Sequence, residues 1–287
     1  MKNRFRKFSP LQKVVLWIVF VIFAVYAFTL IVPFVWMLVN SFKSNSEFFA
    51  DIWALPKQFN FDNYISVFTN FSVGRYNLFT MFLVSVGITL AATIINTLLS
   101  AMAAYVVAKY ENWVTKTIYS IAIFTMIMPV VGTLPAQYRL MQSLQLVNTV
   151  PGLLILYANA FGFTFFIMHG YFKSLSWTYA EAAFVDGAND FQVFFGVMLP
   201  MARPVAISMS VIYAIGVWND YVTPSIYLRS VPTMAVGIRT LTQTMIASGG
   251  YAEMFATMIL SIIPILIVFI IFQKAIMENT VAGGIKG

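Results

Sequence analysis

The residues most able to take part in chemistry lie in one polar island, residues 181–200, inside an otherwise apolar sequence. Glu181 offers a carboxylate to a partner or to a helix end. The adjacent Ala182 and Ala183 are small enough to permit close approach. Gly187 interrupts the pattern of helix formers and permits a bend. The island is therefore the first candidate for function.

A short amphipathic helix is predicted within this island. Thr178 and Glu181 have the spacing of a capping box, so the helix should begin near Tyr179. Asp186 belongs to its polar side. An acidic polar side is unsuited to anionic lipid headgroups, which disfavours the alternative of a helix lying on the bilayer. The apolar side chains follow at intervals of three or four and should share one face: Phe184, Ala188, Phe191, Phe195 and Met198.

Polar residues inside apolar runs form a second group of candidates: Asn96, Asn159, Trp218, Asn219 and Asp220. Asp220 is the only acidic residue well inside a predicted membrane span, and ionisable groups in such positions are functional candidates. An aromatic face with polar neighbours would suit a sugar. The alternatives are that Asp220 pairs with a backbone amide or Arg229, and that Asn96 and Asn159 only hold helices together.

Several classes of chemistry are disfavoured by what the sequence lacks. It has no Gly-x-x-x-x-Gly-Lys-Ser/Thr loop for nucleotide phosphates. It has no cysteine and one histidine, His169, so we expect no metal and no cofactor bound by this chain. No paired carboxylates or HExxH element lies in or beside a span, which argues against an enzyme. The basic residues lie at the ends of apolar runs, which argues against nucleic-acid binding.

The composition places these residues in a lipid membrane. The chain has 287 residues, of which 60% are hydrophobic and 9% charged, and crossing a bilayer takes roughly 20 mostly apolar residues. We predict an all-α, polytopic membrane protein with one transmembrane domain, 14–287, after an N-terminal segment, 1–13. Six spans are predicted, approximately at 14–39, 78–107, 118–133, 153–172, 205–228 and 255–272.

The orientation follows from lysine and arginine, which are retained on the cytoplasmic side. With six spans and the N-terminus inside, eleven of the 17 basic residues fall inside and six outside. We therefore predict that both termini are cytoplasmic. This places the loop 173–203, which contains the island, and the tail 273–287 in the cytoplasm.

Several short motifs together resemble one family of transport proteins. They are Glu181-Ala182-Ala183, Asp186-Gly187-Ala188, Leu199-Pro200, Ser41-Phe42-Lys43, Asn63-Tyr64, Ala104-Tyr105, Trp218-Asn219-Asp220 and the terminal Gly283-Gly284-Ile285-Lys286-Gly287. The chain is similar to permease subunits of type I ATP-binding-cassette (ABC) importers for carbohydrates, especially the smaller permease of maltose and oligosaccharide systems. The resemblance covers nearly the whole chain, with Ser176 as a departure where relatives often have proline.

The resemblance implies a type I importer fold and a set of partners. A second permease would complete a heterodimer, two ATPase subunits would carry ATP and Mg, and an extracytoplasmic sugar-binding protein would deliver the substrate. Glu181, Ala182, Ala183, Asp186 and Gly187 would then form the element that docks into an ATPase, and the tail from Gly283 would touch the ATPases. The chain would lie, surrounded by lipid, in the cytoplasmic membrane of a prokaryote.

A secondary transporter or channel driven by an ion gradient is the alternative hypothesis. Such a protein is expected to carry several buried carboxylates or basic groups as ion sites. Here Asp220 is the only acidic residue well inside a predicted span. Uptake that survives ATP depletion but collapses with an ionophore would favour this alternative.

Overall fold

The computed structural model describes residues 9–128 and 132–282, with side chains described to residue 274. The chain is built almost wholly of helices, as the sequence predicts. In the described part, strands occur only as β1 (Ser72–Val73) and β2 (Tyr76–Asn77), a short antiparallel pair. The predicted contact of the tail from Gly283 falls outside the described residues.

The helices follow one another closely along the chain. In order they are α1 (Pro10–Asn40), α2 (Asn45–Ala50), α3 (Asp62–Asn70), α4 (Leu78–Lys109), α5 (Trp113–Ile127), α6 (Leu134–Ser143), α7 (Val150–Tyr157), α8 (Phe163–Ser174), α9 (Thr178–Val185), α10 (Asp190–Val193), α11 (Leu199–Met201), α12 (Arg203–Asn219), α13 (Val222–Tyr227), α14 (Met234–Ser248) and α15 (Tyr251–Ala282). A π-helical segment, Phe194–Met198, lies between α10 and α11.

Three helices in the described residues are long and apolar enough to cross a bilayer. They are α1, α4 and the part of α15 from Tyr251 to Lys274. A fourth candidate is the pair Asp190–Met201 and Arg203–Asn219, which is bent by 78°. The first, second and sixth predicted spans thus correspond to continuous helices, whereas the total of six stays a prediction.

The predicted third span, 118–133, is wrong in its bounds. Its helix, α5, begins at Trp113 and ends at Ile127. Met128 is extended, with φ −71° and ψ 120°, because the next residue in the sequence is proline, and a residue before proline is forced out of the helical region. The helix therefore stops well short of residue 133.

The predicted fourth span, 153–172, and fifth span, 205–228, are not continuous helices. The fourth is divided into α7 and α8 by the non-helical residues 158–162. The fifth ends at Asn219, and Asp220 is extended before α13 begins. Irregular backbone at membrane depth is tolerated where it is buried in protein or lines a cavity. Both interruptions therefore mark places where a cavity is expected.

The largest hydrophobic core lies where α4 packs against α8 and α12. Its α4 side includes the small residues Ala101, Ala104 and Ala108, and its α8 side includes Phe165 and Phe172. Small residues let helix backbones approach closely in lipid, where burial of apolar surface supplies no driving force. This packing joins the helices that border the island and the second group of candidates.

The described residues from 9 to 67, together with Gln243–Ile259, form a separate unit of the chain. Here the Asn63 amide nitrogen donates hydrogen bonds to the carbonyl oxygens of Ser41, at 2.7 Å, and Lys43, at 2.8 Å. The hydroxyl groups of Ser41 and Tyr64 lie 2.7 Å apart. Two of the short sequence motifs, 41–43 and 63–64, are therefore hydrogen-bond partners of each other.

Candidate functional site

The first helix of the island, α9, begins at Thr178 without a side-chain cap, so the predicted capping box is wrong. The residue in the N-cap position is Trp177, which is already helical, with φ −68° and ψ −23°. A capping box needs an extended N-cap residue whose hydroxyl reaches forward. Thr178 instead lies inside the helix, where its hydroxyl accepts from Ser176 at 3.0 Å. Glu181 is left exposed in the first turn.

Gly187 ends α9 and confirms the predicted bend. It has a φ of +84°, in the left-handed region that favours glycine. Its amide donates to the carbonyl of Phe184, and the amide of Ala188 donates to that of Ala183, both at 3.0 Å. These two bonds form a Schellman motif, which satisfies carbonyls at the helix end. Gly187 therefore fixes the direction in which the chain leaves α9.

The second half of the island does not continue the face of the first, so the predicted single apolar face is wrong. Asn189 caps a new helix, α10, in a capping box with Gln192. The turn at Gly187 changes the rotation of the chain, so Phe194 is buried while Phe191 is exposed. The Asn-x-x-Gln spacing was a sequence signal for this second start.

The chain then passes through the π-helical segment Phe194–Met198 before reaching Pro200. The amide of Leu199 donates to the carbonyl of Phe194, five residues earlier. Pro200 has no N–H to continue a regular ladder, and its ring would clash with the carbonyl four residues earlier. After Ala202 the chain bends by 78° into α12. The island is thus directly continuous with α12, and its second half and α12 together form the fourth candidate span.

The island is pinned to the end of α4 by a hydrogen bond and by aromatic packing. The hydroxyl of Tyr110 donates to the Asp190 carboxylate at 2.6 Å, and the Tyr110 ring packs edge-on against Trp177 with centroids 5.7 Å apart. Burial first, and then the hydrogen bond to Asp190, raise the pKa of Tyr110 well above its ordinary value. Tyr105, in α4, packs on Phe194 at 5.3 Å. The island and α4 are therefore in direct contact at these residues.

Most of the predicted docking residues are exposed, on the side of the island that faces away from the core. Glu181, Ala182, Asp186 and Gly187 are exposed. Ala183 differs, because it is half-buried and packs against the core. The exposed Tyr179 and Val185 extend the same surface. The arrangement offers a partner a small, mostly uncharged surface with two carboxylates.

Among the second group of candidates, Asn96, Asn159 and Asp220 line one cavity of about 340 Å³. The cavity lies at the interruption between α7 and α8 and beside the end of α12. Trp218 and Asn219 do not line it. Trp218 packs against Phe82 and borders an apolar groove, and the Asn219 amide donates to the Ile215 carbonyl.

The Asp220 carboxylate is held by three hydrogen bonds. One oxygen accepts from the amides of Val222, at 2.8 Å, and Thr223, at 3.0 Å. The other accepts from the Tyr157 hydroxyl at 3.0 Å. The predicted alternative of pairing with a backbone amide is therefore what the structure shows, although Asp220 still borders the cavity.

Asn96 supports the interruption from α4. Its amide nitrogen donates to the Asn159 carbonyl at 2.7 Å, and the Tyr213 hydroxyl donates to the Tyr157 carbonyl at 2.5 Å. The side-chain oxygen of Asn96 is buried and has no hydrogen-bond partner among the described residues. The carbonyls of the non-helical segment thus receive hydrogen bonds from α4 and α12.

The sequence of the chain matches the family model for the "binding-protein-dependent transport system inner membrane component" over residues 96–279. This range contains the island and all of the second group of candidates. The chain belongs to this family.

Similar permeases extend the match beyond that range. The chain is 33% identical to the diacetylchitobiose uptake system permease protein NgcG of Streptomyces coelicolor, over 88% of this chain and 83% of that protein. It is 29% identical to the arabinooligosaccharides transport system permease protein AraQ of Halalkalibacterium halodurans, over 98% and 99% of the two chains. The trehalose transport system permease protein SugB of Mycobacterium tuberculosis is 28% identical over 90% and 93%.

A solved structure confirms the fold of this permease. A chain of a bacterial ABC transporter involved in the import of the acidic polysaccharide alginate superposes with a TM-score of 0.76, covering 93% of this permease and 98% of that chain at 24% identity. The type I importer fold predicted from the motifs is therefore confirmed. The permease is a multi-pass membrane transport subunit rather than an enzyme.

Sequence reasoning missed the residues that hold the two sites of this permease in place. Tyr110 anchors the island, and Tyr157 and Tyr213 support the cavity. Their partners lie 80, 63 and 56 residues away in sequence. No local pattern identifies such pairs, because the sequence around a tyrosine in an apolar run does not show which distant residue its hydroxyl group contacts.

Proposed function

We propose that this permease is a membrane-spanning subunit of an ATP-driven importer of carbohydrates, and that its substrates are oligosaccharides. It pairs with a second, different permease and is driven by two ATPase subunits that bind ATP and Mg. An extracytoplasmic sugar-binding protein delivers the substrate. The printed functions of the relatives in Streptomyces and Halalkalibacterium, uptake of diacetylchitobiose and of arabinooligosaccharides, support the substrate class.

One observation carries the proposal. The island exposes the surface that carries the predicted docking residues, while its opposite surface packs against α4 and the core. Glu181, Ala182, Asp186 and Gly187 are free to contact an ATPase, and half-buried Ala183 keeps α9 close to the core. The Tyr110–Asp190 bond connects the island to α4. ATPase closure against the outer surface would therefore move α4 and α12, which border the cavity, and so alternate its access.

The proposed topology has six spans with both termini in the cytoplasm. It counts α1, α4, α5, α7 with α8, α12 with α13, and α15 as the spans. The loop 173–203 and the tail then face the ATPases, and the segment between α1 and α4 faces the external binding protein. The bacterial relatives support a location in the cytoplasmic membrane of a prokaryote.

Substitution of the docking surface tests the proposal. We expect Glu181→Arg and Gly187→Arg to leave membrane insertion intact but to release or uncouple the ATPase subunits, because both put a bulky cation on the contact surface. The measurement is the amount of ATPase that co-purifies with the permease, together with ATP-dependent sugar uptake in proteoliposomes.

Two control variants separate docking from folding and from charge. Gly187→Ala introduces the backbone strain without the bulk, since no atom lies within 4 Å of the added carbon. Glu111→Arg makes the same charge change at an exposed position after α4. Unchanged co-purification and uptake in both Arg variants of the docking surface would overturn the proposal. Uptake driven by an ion gradient without ATP would favour a secondary transporter.

A further inference from the structure

Hydrogen bonds join three short helices, α6, α7 and α13. The amide of Asn148, just before α7, donates to the Tyr227 carbonyl of α13 at 2.6 Å. The side-chain oxygen of Asn148 accepts from the amide of Ser230 at 2.8 Å. The Tyr227 hydroxyl donates to the side-chain oxygen of Gln137, in α6, at 3.1 Å. Together these helices form what we call the three-helix group, residues 134–157 and 222–230.

Two stretches of non-helical backbone connect the three-helix group to longer helices. Residues 158–162 separate α7 from α8, and residues 220–221 separate α12 from α13. The ladder of hydrogen bonds along a helix is interrupted at such residues, so a change of backbone angles there turns one helix relative to the next. Hinges in proteins are typically a few residues in loops or at the ends of helices. The two stretches are therefore candidate hinges.

Asp220 connects the two candidate hinges. One oxygen of its carboxylate accepts from the amides of Val222 and Thr223, at the start of α13. The other oxygen accepts from the hydroxyl of Tyr157, the last residue of α7. A carboxylate has about four acceptor positions, and the protein itself uses three of them here. The geometry therefore favours a positioning role for Asp220 over contact with a substrate.

The helices α7 and α13 are thus fastened to each other at both ends. The bond from Asn148 to Tyr227 joins the ends far from the hinges, and the bond from Tyr157 to Asp220 joins the hinge ends. The carbonyl of Tyr157 also accepts from the hydroxyl of Tyr213, in α12. Tyr157 therefore contacts α12 through its carbonyl and the start of α13, by way of Asp220, through its hydroxyl.

We propose that Asp220 is a positioning residue that makes the three-helix group move as one body when the cavity changes its access during transport. Residues 158–162 and 220–221 are the two hinges, and the bond from Tyr157 to Asp220 makes them bend together. In the proposed orientation the group lies on the outer side of the membrane, so its movement controls entry from outside. This inference deepens the proposed function and rests on it.

Spin labels on the intact importer test the inference, since this chain has no cysteine of its own. The complex, assembled with cysteine-free partner subunits in nanodiscs, is measured by dipolar EPR without nucleotide and with ATP and vanadate. Labels at the exposed Ile155 and Val222 should keep one distance in both states, because both residues lie in the group. Labels at Ile155 and the exposed Ser174, at the end of α8, should change distance between the states.

Tyr157→Phe removes only the hydroxyl that binds Asp220. Loss of a hydrogen bond to a carboxylate should raise about tenfold the fraction of complexes in which the labels at Ile155 and Val222 leave their native distance. The number of ATP molecules hydrolysed per sugar imported should rise too, which a purely structural role does not predict. Tyr221→Phe is the matched control, because it removes a hydroxyl from the exposed residue next to Asp220.

Asp220→Asn is the conservative variant. Its oxygen still accepts from the α13 amides, and its nitrogen can donate to the Tyr157 hydroxyl, so the label distances and the ratio of ATP to sugar should stay near native. Asp220→Ala keeps neither contact and should behave as Tyr157→Phe does. Rescue by asparagine is therefore expected for a positioning role that depends on hydrogen bonds rather than on charge.

The outcomes separate this inference from the proposed function. In the native complex, a distance from Ile155 to Val222 that differs between the two states, or a distance from Ile155 to Ser174 that does not, would overturn the inference. So would native distances and a native ratio of ATP to sugar in Tyr157→Phe. A higher sugar concentration for half-maximal uptake as the only change in Asp220→Asn would assign Asp220 to the substrate instead. Failure of the unlabelled native complex to import any sugar with ATP would overturn the proposed function.

Discussion

Asn63 shows how a single side chain holds a loop against the end of a helix. Its amide donates to two carbonyl oxygens, of Ser41 and Lys43, that follow α1. Backbone carbonyl groups at and beyond a helix end have no donor within the helix, so they need another hydrogen-bond donor when they are buried. The sequence motifs at 41–43 and 63–64 are thereby explained as two parts of one structural contact.

Loss of the Asn63 amide is expected to destabilise this contact. Asn63→Ala leaves two carbonyls without their donor, and each buried unsatisfied group costs about 1–3 kcal/mol. We therefore expect a melting temperature lower by several degrees for the purified protein in detergent. Asn219→Ala, which removes a single bond from an exposed amide to its own helix, is the control. Equal melting temperatures for the two variants would contradict this account.

At the scale of elements, the π-helical segment Phe194–Met198 determines how the island enters the membrane. Its hydrogen bond from Leu199 to Phe194 spans five residues instead of four, and Phe194 and Met198 stay in the core. The 78° bend then follows at once. Pi-helical turns of this kind are frequent at functional sites, and this one lies between the docking surface and α12.

Replacement of Pro200 is expected to regularise this element. Pro200→Ala restores an N–H that can bond to the Gly196 carbonyl, so a regular helix becomes possible. Hydrogen exchange at residues 199–202 should then become slower by about tenfold. Pro204→Ala is the control, because proline at the second position of α12 replaces no helical hydrogen bond. Faster or unchanged exchange in Pro200→Ala would show that another feature maintains the π-helical segment.

The elements that the sequence predicted well are those set by local patterns. α1, α4 and α15 follow from long apolar runs, and the bend at Gly187 follows from one residue. The interruption at 158–162 was missed because its support is distant: the Asn96 amide reaches Asn159 from 63 residues away. Apolar periodicity also continues through an interruption, so it does not reveal where the backbone leaves the helix.

At the scale of the whole molecule, orientation is the property on which the proposed mechanism depends. The basic residues predict the loop 173–203 inside and the segment between α1 and α4 outside, and the fold alone is compatible with that arrangement. The family match establishes the kind of transporter. The candidate docking residues were found from sequence because they form a short contiguous motif, whereas the cavity needed the fold to bring Asn96 and Asp220 together.

Single cysteines can test the orientation cleanly, because the natural chain contains none. We expect Lys57→Cys to react with a membrane-impermeant maleimide in intact cells, and Ser176→Cys to react only in inside-out vesicles. Both positions are exposed. The chain without cysteine is the control for background labelling. The opposite pattern of reactivity would contradict the predicted N-in and C-in topology.

The length of α4 lets a single helix contact three distant parts of this permease. Within 32 residues, about 48 Å of helix, Ser85 accepts from the Met234 amide, Asn96 supports the cavity, and Tyr105 packs on the island. A single continuous helix therefore contacts three positions that are far apart in the structure. In the proposed orientation the Met234 end of α4 faces the outside of the cell, so we expect a binder that holds this end to slow ATP hydrolysis by the ATPase subunits from outside.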